Sequence, residues 1–533
     1  MFSLKDHWIL TFAISLTTIA IMFLLVSCSR TGDHDPQYTT TTVTTAAQES
    51  VTEAVTTQEQ VPDETPVENQ DKYYCVTDYG VKGDGVTDDT EAIQAIFDML
   101  EDGGTVYFPS GKYWVTKSLY VKTNNTTIYG NGKTTHVLFT YEQKETDSGL
   151  SASLFCFGAG LRDIVFKDMK LEYEGEFFPE FGDSYKGKVS GLYFMRNYDV
   201  IVENVEIFGF NANGIYAGAT TLAYSKNIMI DKCNLHHNRV AGVLFGNVDG
   251  LSLTNTLLEY NGSQPDGGTG YGCAGSSGAI PKNVQIIGNR ANYNYRKGID
   301  LHAGNYAIID GNICTGNRLY GIYTEGRNTS DIIISNNIIN GMKKEKLDIG
   351  SPYTWIAGIS IGVWETGNDQ FTHNYTITGN IVKDFGLTQG DAYPIFVYHS
   401  YQNGHIQIKD NILMVDNVSH LVRFSRGGTN SDYDISLDIS GNQATVTGRV
   451  IGAPIYLGYY NKLNVFNNQI TFKKPLNTAL VYIGNKEDCQ AFYAFNNITV
   501  PDYGDNEQVV LENPGSTVQL VKMKNFLNGE LTD

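Results

Sequence analysis

The stretch Asn294-Tyr-Arg-Lys-Gly298-Ile-Asp300-Leu-His302 decides the reading of this chain, because it recurs. The next segment reads Asn317-Arg-Leu-Tyr-Gly321-Ile-Tyr323-Thr-Glu325, and an earlier one Asn238-Arg-Val-Ala-Gly242-Val-Leu-Phe-Gly246. In each, an Asn is followed four residues later by Gly, after which apolar residues fill every second position. From Val200 onward, short β-rich pieces run into an Asn roughly every 23–33 residues. These are Asn204, Asn234, Asn255, Asn289, Asn312, Asn336-Asn337, Asn380, Asn411, Asn442, Asn467-Asn468 and Asn496-Asn497. A period of this size belongs to a solenoid, so the fold class is all-β. One Asn per coil predicts an internal ladder of stacked amides, which makes these asparagines structural.

Aligning the coils on their glycines gives a grid. The rows are Gly242-Val-Leu-Phe-Gly, Gly298-Ile-Asp-Leu-His, Gly321-Ile-Tyr-Thr-Glu and Gly358-Ile-Ser-Ile-Gly-Val-Trp364, with Gly272-Cys-Ala-Gly between the first two. Side chains alternate along a strand. Val243, Phe245, Ile299, Leu301, Ile322, Thr324, Ile359, Ile361 and Val363 are therefore expected inside. Leu244, Asp300, His302, Tyr323, Glu325, Ser360 and Trp364 are expected outside. With ~4.8 Å between strands and ~6.6 Å between alternate residues, His302 stacks on Glu325 and Asp300 on Tyr323, while Asp300 and Glu325 lie ~8 Å apart by Cα. The turns add Arg296, Lys297 and Arg318, Arg239 falls in the Arg318 column, and Arg327 follows Glu325. His236-His237 is expected near this face, one or two coils earlier. A solvated face of paired charges is the bland alternative; the concentration of an imidazole, two carboxylates, a phenol and several cations favours a site. Asp300, His302 and Glu325 are the candidate catalytic residues. Arg296, Lys297, Tyr323, Arg318, Arg327, Arg239 and Trp364 are candidates for substrate binding, Trp364 as a sugar-stacking platform.

Charge and leader narrow the setting. The formal net charge of −20 argues against nucleic acid, whose phosphates need a basic footprint. Lys5 precedes an apolar run from Trp8 to Val26 that ends in Leu25-Val-Ser-Cys28. This describes a secretory leader, the alternative being an uncleaved membrane anchor, for which the run is just long enough. Its end resembles the lipobox of bacterial lipoproteins, which implies lipidation of Cys28, a membrane partner through that lipid, and an extracytoplasmic, surface-exposed protein. Residues 29–72 are rich in Thr, Gln, Glu and Pro without an apolar periodicity, the composition of a disordered tether. Residues 73–533 are then one domain. Its cysteines form no CxxC pair, so buried free thiols are expected and zinc is not. No cofactor is required by any motif; calcium stays open, without an EF-hand loop.

The domain begins with Asp78-Tyr-Gly-Val-Lys-Gly-Asp-Gly-Val-Thr-Asp-Asp-Thr90. A helix is expected from about Asp89, capped by Thr87 or Asp88, with Ile93, Ile96, Phe97 and Leu100 as its apolar stripe. Gly103-Gly104 ends it, and Thr105-Val-Tyr-Phe-Pro109 and Tyr113-Trp-Val follow as strands. This opening resembles the pectate-lyase-like superfamily, in particular the group of rhamnogalacturonases, epimerase-like proteins and phage tailspikes. The resemblance implies a right-handed parallel β-helix whose N-terminal end, residues 73–115, is capped by the helix. It specifies no reaction, because that segment is structural.

A second resemblance lies in Gly298-Ile-Asp300-Leu-His302, which is similar to the Asp-Pro-His region of alginate C5-epimerases. It implies catalytic roles for Asp300 and His302. Leu301 stands where that family has Pro, and Lys297 where some members place a catalytic Tyr. The Asn-Thr-Asp, Asp-Asp and Gly-His-Gly motifs of polygalacturonases are not visible. Function is thus expected to be that of an extracellular carbohydrate-active enzyme on a polysaccharide, by β-elimination or C5-epimerisation of a uronate. Arg296, Lys297 or Arg327 would neutralise the carboxylate, His302 would take the C5 proton, Asp300 would orient it, and Tyr323 would be the acid. The alternatives are a glycoside hydrolase with Asp300 and Glu325 as its carboxylate pair, and a non-catalytic glycan-binding β-helix without a cleft near Asp300. On this reading, Asp300→Asn or His302→Ala abolishes turnover and leaves folding intact.

Overall fold

A computed structural model describes residues 72–142, 150–175, 188–219, 223–262, 269–276, 278–326, 329–341, 355–363, 372–387, 391–400, 403–427, 434–458, 460–484, 489–503, 510–512 and 518–532. The leader with Cys28, the tether, Arg327, the Lys343–Lys346 loop and Trp364 lie outside the described residues.

Each coil is three short strands separated by bends. One coil runs Lys282–Ile287, Arg290–Asn292, Lys297–Leu301; the next runs Asn305–Asp310, Ile313–Thr315, Tyr320–Gly326. Every strand pairs in parallel with its counterpart one coil away, so three parallel stacks run the length of a β-helix. The stack that carries the recurring Gly motif is a 14-stranded sheet. The expected register holds in it: Val243 pairs with Cys273, Cys273 with Ile299, Ile299 with Ile322, and Ile322 with Ile359. Val243, Phe245, Ile299, Leu301, Ile322, Thr324, Ile359 and Ile361 are fully buried inside the coil. The side chain of Val363 lies outside the described residues.

Two features of the repeat have separate physical causes. Asn312 donates from Nδ2 to Asn337 Oδ1 at 2.9 Å and to Ile286 O at 2.7 Å, while Asn337 Oδ1 also accepts the Asn312 backbone N–H. The same bonds join Asn289, Asn312, Asn337, Asn380, Asn411, Asn442, Asn468, Asn496 and Asn525. A second ladder joins Asn238, Asn261, Asn294 and Asn317. An identical neighbour above and below keeps a buried amide's donors and acceptor satisfied. Asn204, Asn255, Asn336 and Asn467, expected in the ladder, are instead left-handed turn residues, with φ of 53°, 49°, 54° and 54°. Asn tolerates that conformation better than most residues. Asn234 also lies outside the ladder and bonds to Glu206. The recurring glycine is a matter of space. A Cβ on Gly298 would lie 2.7 Å from both Asn317 Nδ2 and Gly321 O.

At the N-terminal end, the helix Thr90–Met99 buries Ile93, Ile96 and Phe97, and Phe97 meets Phe155 edge-on. Asp88 Oδ1 accepts the Thr90 N–H, while Asp89 turns to the Lys82 and Gly83 N–H groups. Beyond Pro501, where the sequence pattern fades, the coil continues: Val518–Met523 pairs with Cys489–Ala494, and Asn525 extends the ladder. Glu530–Thr532 then turns back antiparallel. Of the cysteines, Cys233, Cys273 and Cys314 are buried free thiols, and Cys75 and Cys156 are partly exposed and unpaired.

Candidate active site

The outer face of the 14-stranded sheet carries one column of registered positions: Ala274, Asp300, Tyr323, Ser360, Phe396, Arg423, Tyr456 and Tyr482. A second column, three residues upstream, holds Tyr271, Lys297, Tyr320, Ala357 and Tyr393. Alternation breaks between the columns, so residues i and i+3 touch on the outside. Lys297 meets Asp300 in one coil, Tyr320 stacks on Tyr323 in the next, and Tyr393 stacks on Phe396 further along. Lys297, expected in a turn, is a strand residue.

Lys297 Nζ lies 2.8 Å from Asp300 Oδ2, and both side chains are almost wholly covered, at 3% and 2% exposure. The ammonium sits 3.4 Å from the Tyr323 ring centroid and 5.6 Å from those of Tyr271 and Tyr320, an aromatic enclosure suited to a cation. Asp300 points outward as expected, but it is covered by these side chains instead of being bathed in water. Its Oδ1 accepts no hydrogen bond among the described residues. His302 Nδ1 lies 3.8 Å from that oxygen, and the imidazole is 37% exposed. Burial of Asp300 opposes ionisation, but Lys297 and His302 outweigh it and hold the carboxyl below its usual range. Burial depresses the proton affinity of Lys297, against the pull of Asp300. The Asp300 carboxylate in turn raises the proton affinity of His302. Glu325, on the neighbouring coil, is pushed up to about 7 by burial, with Lys297 and His302 opposing.

Glu325 and Tyr323 open into a cavity of about 530 Å³ that extends over the following coils. Its lining is mainly aromatic, with Trp355, Tyr393, Phe396 and Tyr398, and polar at Asp391, Arg423 and Ser425. Aromatic faces suit the apolar faces of sugar rings, and the polar groups suit hydroxyls and carboxylates.

Other candidates fall elsewhere. Arg296 donates to Tyr271 OH at 2.9 Å, and Arg318 lies 4.5 Å over Tyr295, both at the turn before the strands. Arg239 is in the Arg318 column but three ladder steps away, about 14 Å. His236 and His237 belong to another stack. His236 bonds to Glu206 and stacks on Phe208, and His237 stacks on Tyr260. The expectation that they adjoin the site is corrected: the chain turns a corner between His237 and Ala241 and carries them onto a different face. Among the described residues, no group of three or more His, Cys, Asp or Glu could hold a metal ion.

The sequence reading missed Trp355, Tyr393, Phe396, Tyr398 and Arg423. Pro394 and Leu421 stand where the guiding Gly would be in the rows of Tyr393, Phe396, Tyr398 and Arg423, and Trp355 precedes Gly358, outside the stretch that was aligned. The signal was present as alternation in Ile395-Phe396-Val397-Tyr398 and Val422-Arg423-Phe424-Ser425.

Comparison with known proteins agrees with this architecture. Residues 73–165 match the family model described as rhamnogalacturonase A/epimerase, pectate lyase-like, and residues 221–413 match that of the right-handed β-helix region. The protein is thus a right-handed parallel β-helix with a pectate-lyase-like opening. Alginate lyase 7 of Azotobacter vinelandii is 35% identical over 155 residues, 25% of this chain and 16% of that protein. Mannuronan C5-epimerase AlgE5 of the same organism is 28% identical over 276 residues, 47% of this chain and 25% of that protein. The chain spans a quarter or less of the length of these relatives. The crystal structure of PfbA, a surface adhesin of Streptococcus pneumoniae, is 15% identical, with 86% of this chain and 91% of that chain covered at a TM-score of 0.46.

Proposed function

We propose that this protein acts on a uronate-containing polysaccharide by moving the C5 proton, in β-elimination or C5-epimerisation. The observation that carries this reading is the pairing of two proton carriers on adjacent coils. His302 has its proton affinity raised by Asp300, and Glu325, which lines the aromatic cavity, is raised to about 7. A proton carrier is most effective when its pKa lies near the working pH. Glu325 is then the base for C5 and His302 the acid, where the sequence suggested His302 as the base and Tyr323 as the acid. In epimerisation the proton removed from one face of C5 is replaced by another on the opposite face. In elimination the C4–O bond breaks as the C4=C5 bond forms, and the leaving oxygen takes a proton from the acid.

Removing the C5 proton puts charge on the adjacent carboxylate, which needs a nearby cation. Lys297, held without bulk water beneath Tyr323, supplies that field, and Asp300 positions His302. The alginate lyase and epimerase similarities support the same chemical class. The hydrolase reading is weaker, because Asp300 is covered and locked to Lys297. Asp391 does not replace it. It pairs with Trp355, seven residues before the Gly362 that pairs with Glu325, on the order of 20 Å along the strand. That exceeds the spacing of a glycosidase pair, ~5–9.5 Å.

The test is a panel of uronate polymers followed by absorbance near ~235 nm from the conjugated product, with reducing-end release, and by proton exchange at C5 in D₂O. Absorbance identifies elimination, and exchange without new ends identifies epimerisation. New ends without absorbance, or no change in any polymer, overturn the proposal. Lipid anchoring at Cys28 with an extracytoplasmic location belongs to the same proposal, on the strength of the leader. Palmitate labelling that persists in Cys28→Ala would refute it.

A further inference from the structure

Arg423 stands out in the cavity beside the candidate catalytic residues. Its Nη1 donates to Tyr393 OH, and its guanidinium lies 5.1 Å from the Tyr393 ring centroid, 5.6 Å from Phe396 and 5.7 Å from Tyr456. It pairs with no carboxylate among the described residues, and its Nε is buried without a hydrogen bond. A partly buried guanidinium that lines a roomy cavity without an ion-pair partner among the described residues can take an acceptor that is not part of the chain on its cavity side. The planar fork of Arg matches a carboxylate by two parallel hydrogen bonds.

Its position gives the ligand a length. Glu325 lies in the same column as Gly362, Tyr398 and Ser425, and Arg423 is two residues before Ser425. Three coils and two residues place Arg423 about 16 Å from Glu325 by Cα. A pyranose unit advances a polymer by about one coil spacing, so Arg423 meets the sugar roughly three units from the one at Glu325. Between them, two coils on from Glu325, Phe396 and Tyr398 line the cavity along the path of the intervening sugars.

We infer that Arg423 is a specificity residue for a distal uronate, binding the carboxylate of a sugar about three units from the reacting one, so that the protein prefers chains long enough to reach it. This rests on the uronate reading above. It further assigns the cavity as a subsite for an acidic sugar and predicts a dependence on chain length.

The experiment titrates uronate hexamers and dimers (oligomannuronate, oligoguluronate and oligogalacturonate), with the carboxyl-reduced, neutral hexamers beside them, into the wild type, Arg423→Gln and Arg423→Lys by calorimetry. Turnover is followed in parallel. Loss of one charge-assisted bidentate contact weakens hexamer binding by about 10–100-fold. Dimer binding and neutral-hexamer binding should be unchanged, and Arg423→Lys should recover only part of the loss. Arg423→Gln keeps polar bulk against Tyr393 and Tyr456, and an unchanged melting temperature separates a lost contact from a lost fold. If the wild type binds and converts uronate hexamers and Arg423→Gln does so equally well, the subsite is wrong while the uronate reading stands. If the wild type neither binds nor converts any of these oligomers, both are overturned.

Discussion

Lys297 and Asp300 form a covered ion pair, and Lys297→Met should damage the protein by an amount that depends on pH. With the cation gone, Asp300 has two courses. It can stay ionised at 2% exposure with no counter-charge, and breaking one side of a buried pair costs about 3–5 kcal/mol. Or it can take up a proton, which at pH 7 costs about 4 kcal/mol against an unperturbed carboxyl near 3.9. The cheaper course sets the loss, so the variant should be about 3–4 kcal/mol less stable at pH 7. By the protonation course the deficit shrinks by about 1.4 kcal/mol per pH unit on acidification. The wild type behaves in the opposite sense. The carboxyl of Asp300 is held low, so its contribution is present above the unfolded value near 3.9 and is lost as the pH falls through the folded one. The double variant Lys297→Met/Asp300→Leu leaves no charge to strand and should recover most of the loss. Because a solenoid's stability is a sum over coils, the assay should be local. Hydrogen-exchange protection of amides in Lys297–Leu301 and Tyr320–Gly326 at pH 5 and pH 7 reads it, supported by thermal melting. The reasoning fails if Lys297→Met loses less than about 1 kcal/mol at pH 7, or if the double variant loses the sum of the two single ones. The same pair revises the expectation that Asp300→Asn leaves folding intact, because that change strands the ammonium of Lys297.

Glu325→Gln should lower turnover by about 100-fold or more, as removal of a general acid or base does. Wild-type activity should show an ionisation near 7, and a wild-type profile flat from pH 6 to 8 would sink that role. Its raised pKa also means that stability present below its unfolded value near 4.5 is lost as the pH rises to about 7. Glu325→Gln should flatten that slope in melting curves. The imidazole of His302 should titrate above 6.5 by NMR and move down in Asp300→Asn; an unmoved titration would remove Asp300 as its positioning residue. Gly298→Ala should cost about 1–3 kcal/mol in melting, since the added methyl meets Asn317 and Gly321. A variant as stable as the wild type would show that the coils give way there.

Much of this protein is legible in one dimension. The solenoid, the inward set Val243 to Ile361 and the pairing of Asp300 with Tyr323 follow from a repeat that stacks each residue on its counterpart one coil away. So does the amide ladder, although its membership does not. In Gly-Asn, Asn-Asn and Asp-Asn dipeptides, the first residue takes the left-handed turn and the second enters the ladder. Asn204 and Asn255 hold the turn position and only look like ladder residues.

What tertiary structure alone decided is the environment of the outward residues. Alternation places Asp300 outside the coil but cannot tell whether water reaches it. A break in alternation brings i and i+3 together, so Lys297 is the buried partner of Asp300 in a strand and not a turn residue. Tyr393, Phe396, Tyr398 and Arg423 come from coils whose rows lack the guiding Gly, and they line one cavity with Glu325 from more than 60 residues along the chain. Periodicity specifies which residues are stacked because backbone pairing enforces it. Desolvation, proton affinity and the shape of a groove depend on what side chains from several coils do together, and no single repeat contains that information.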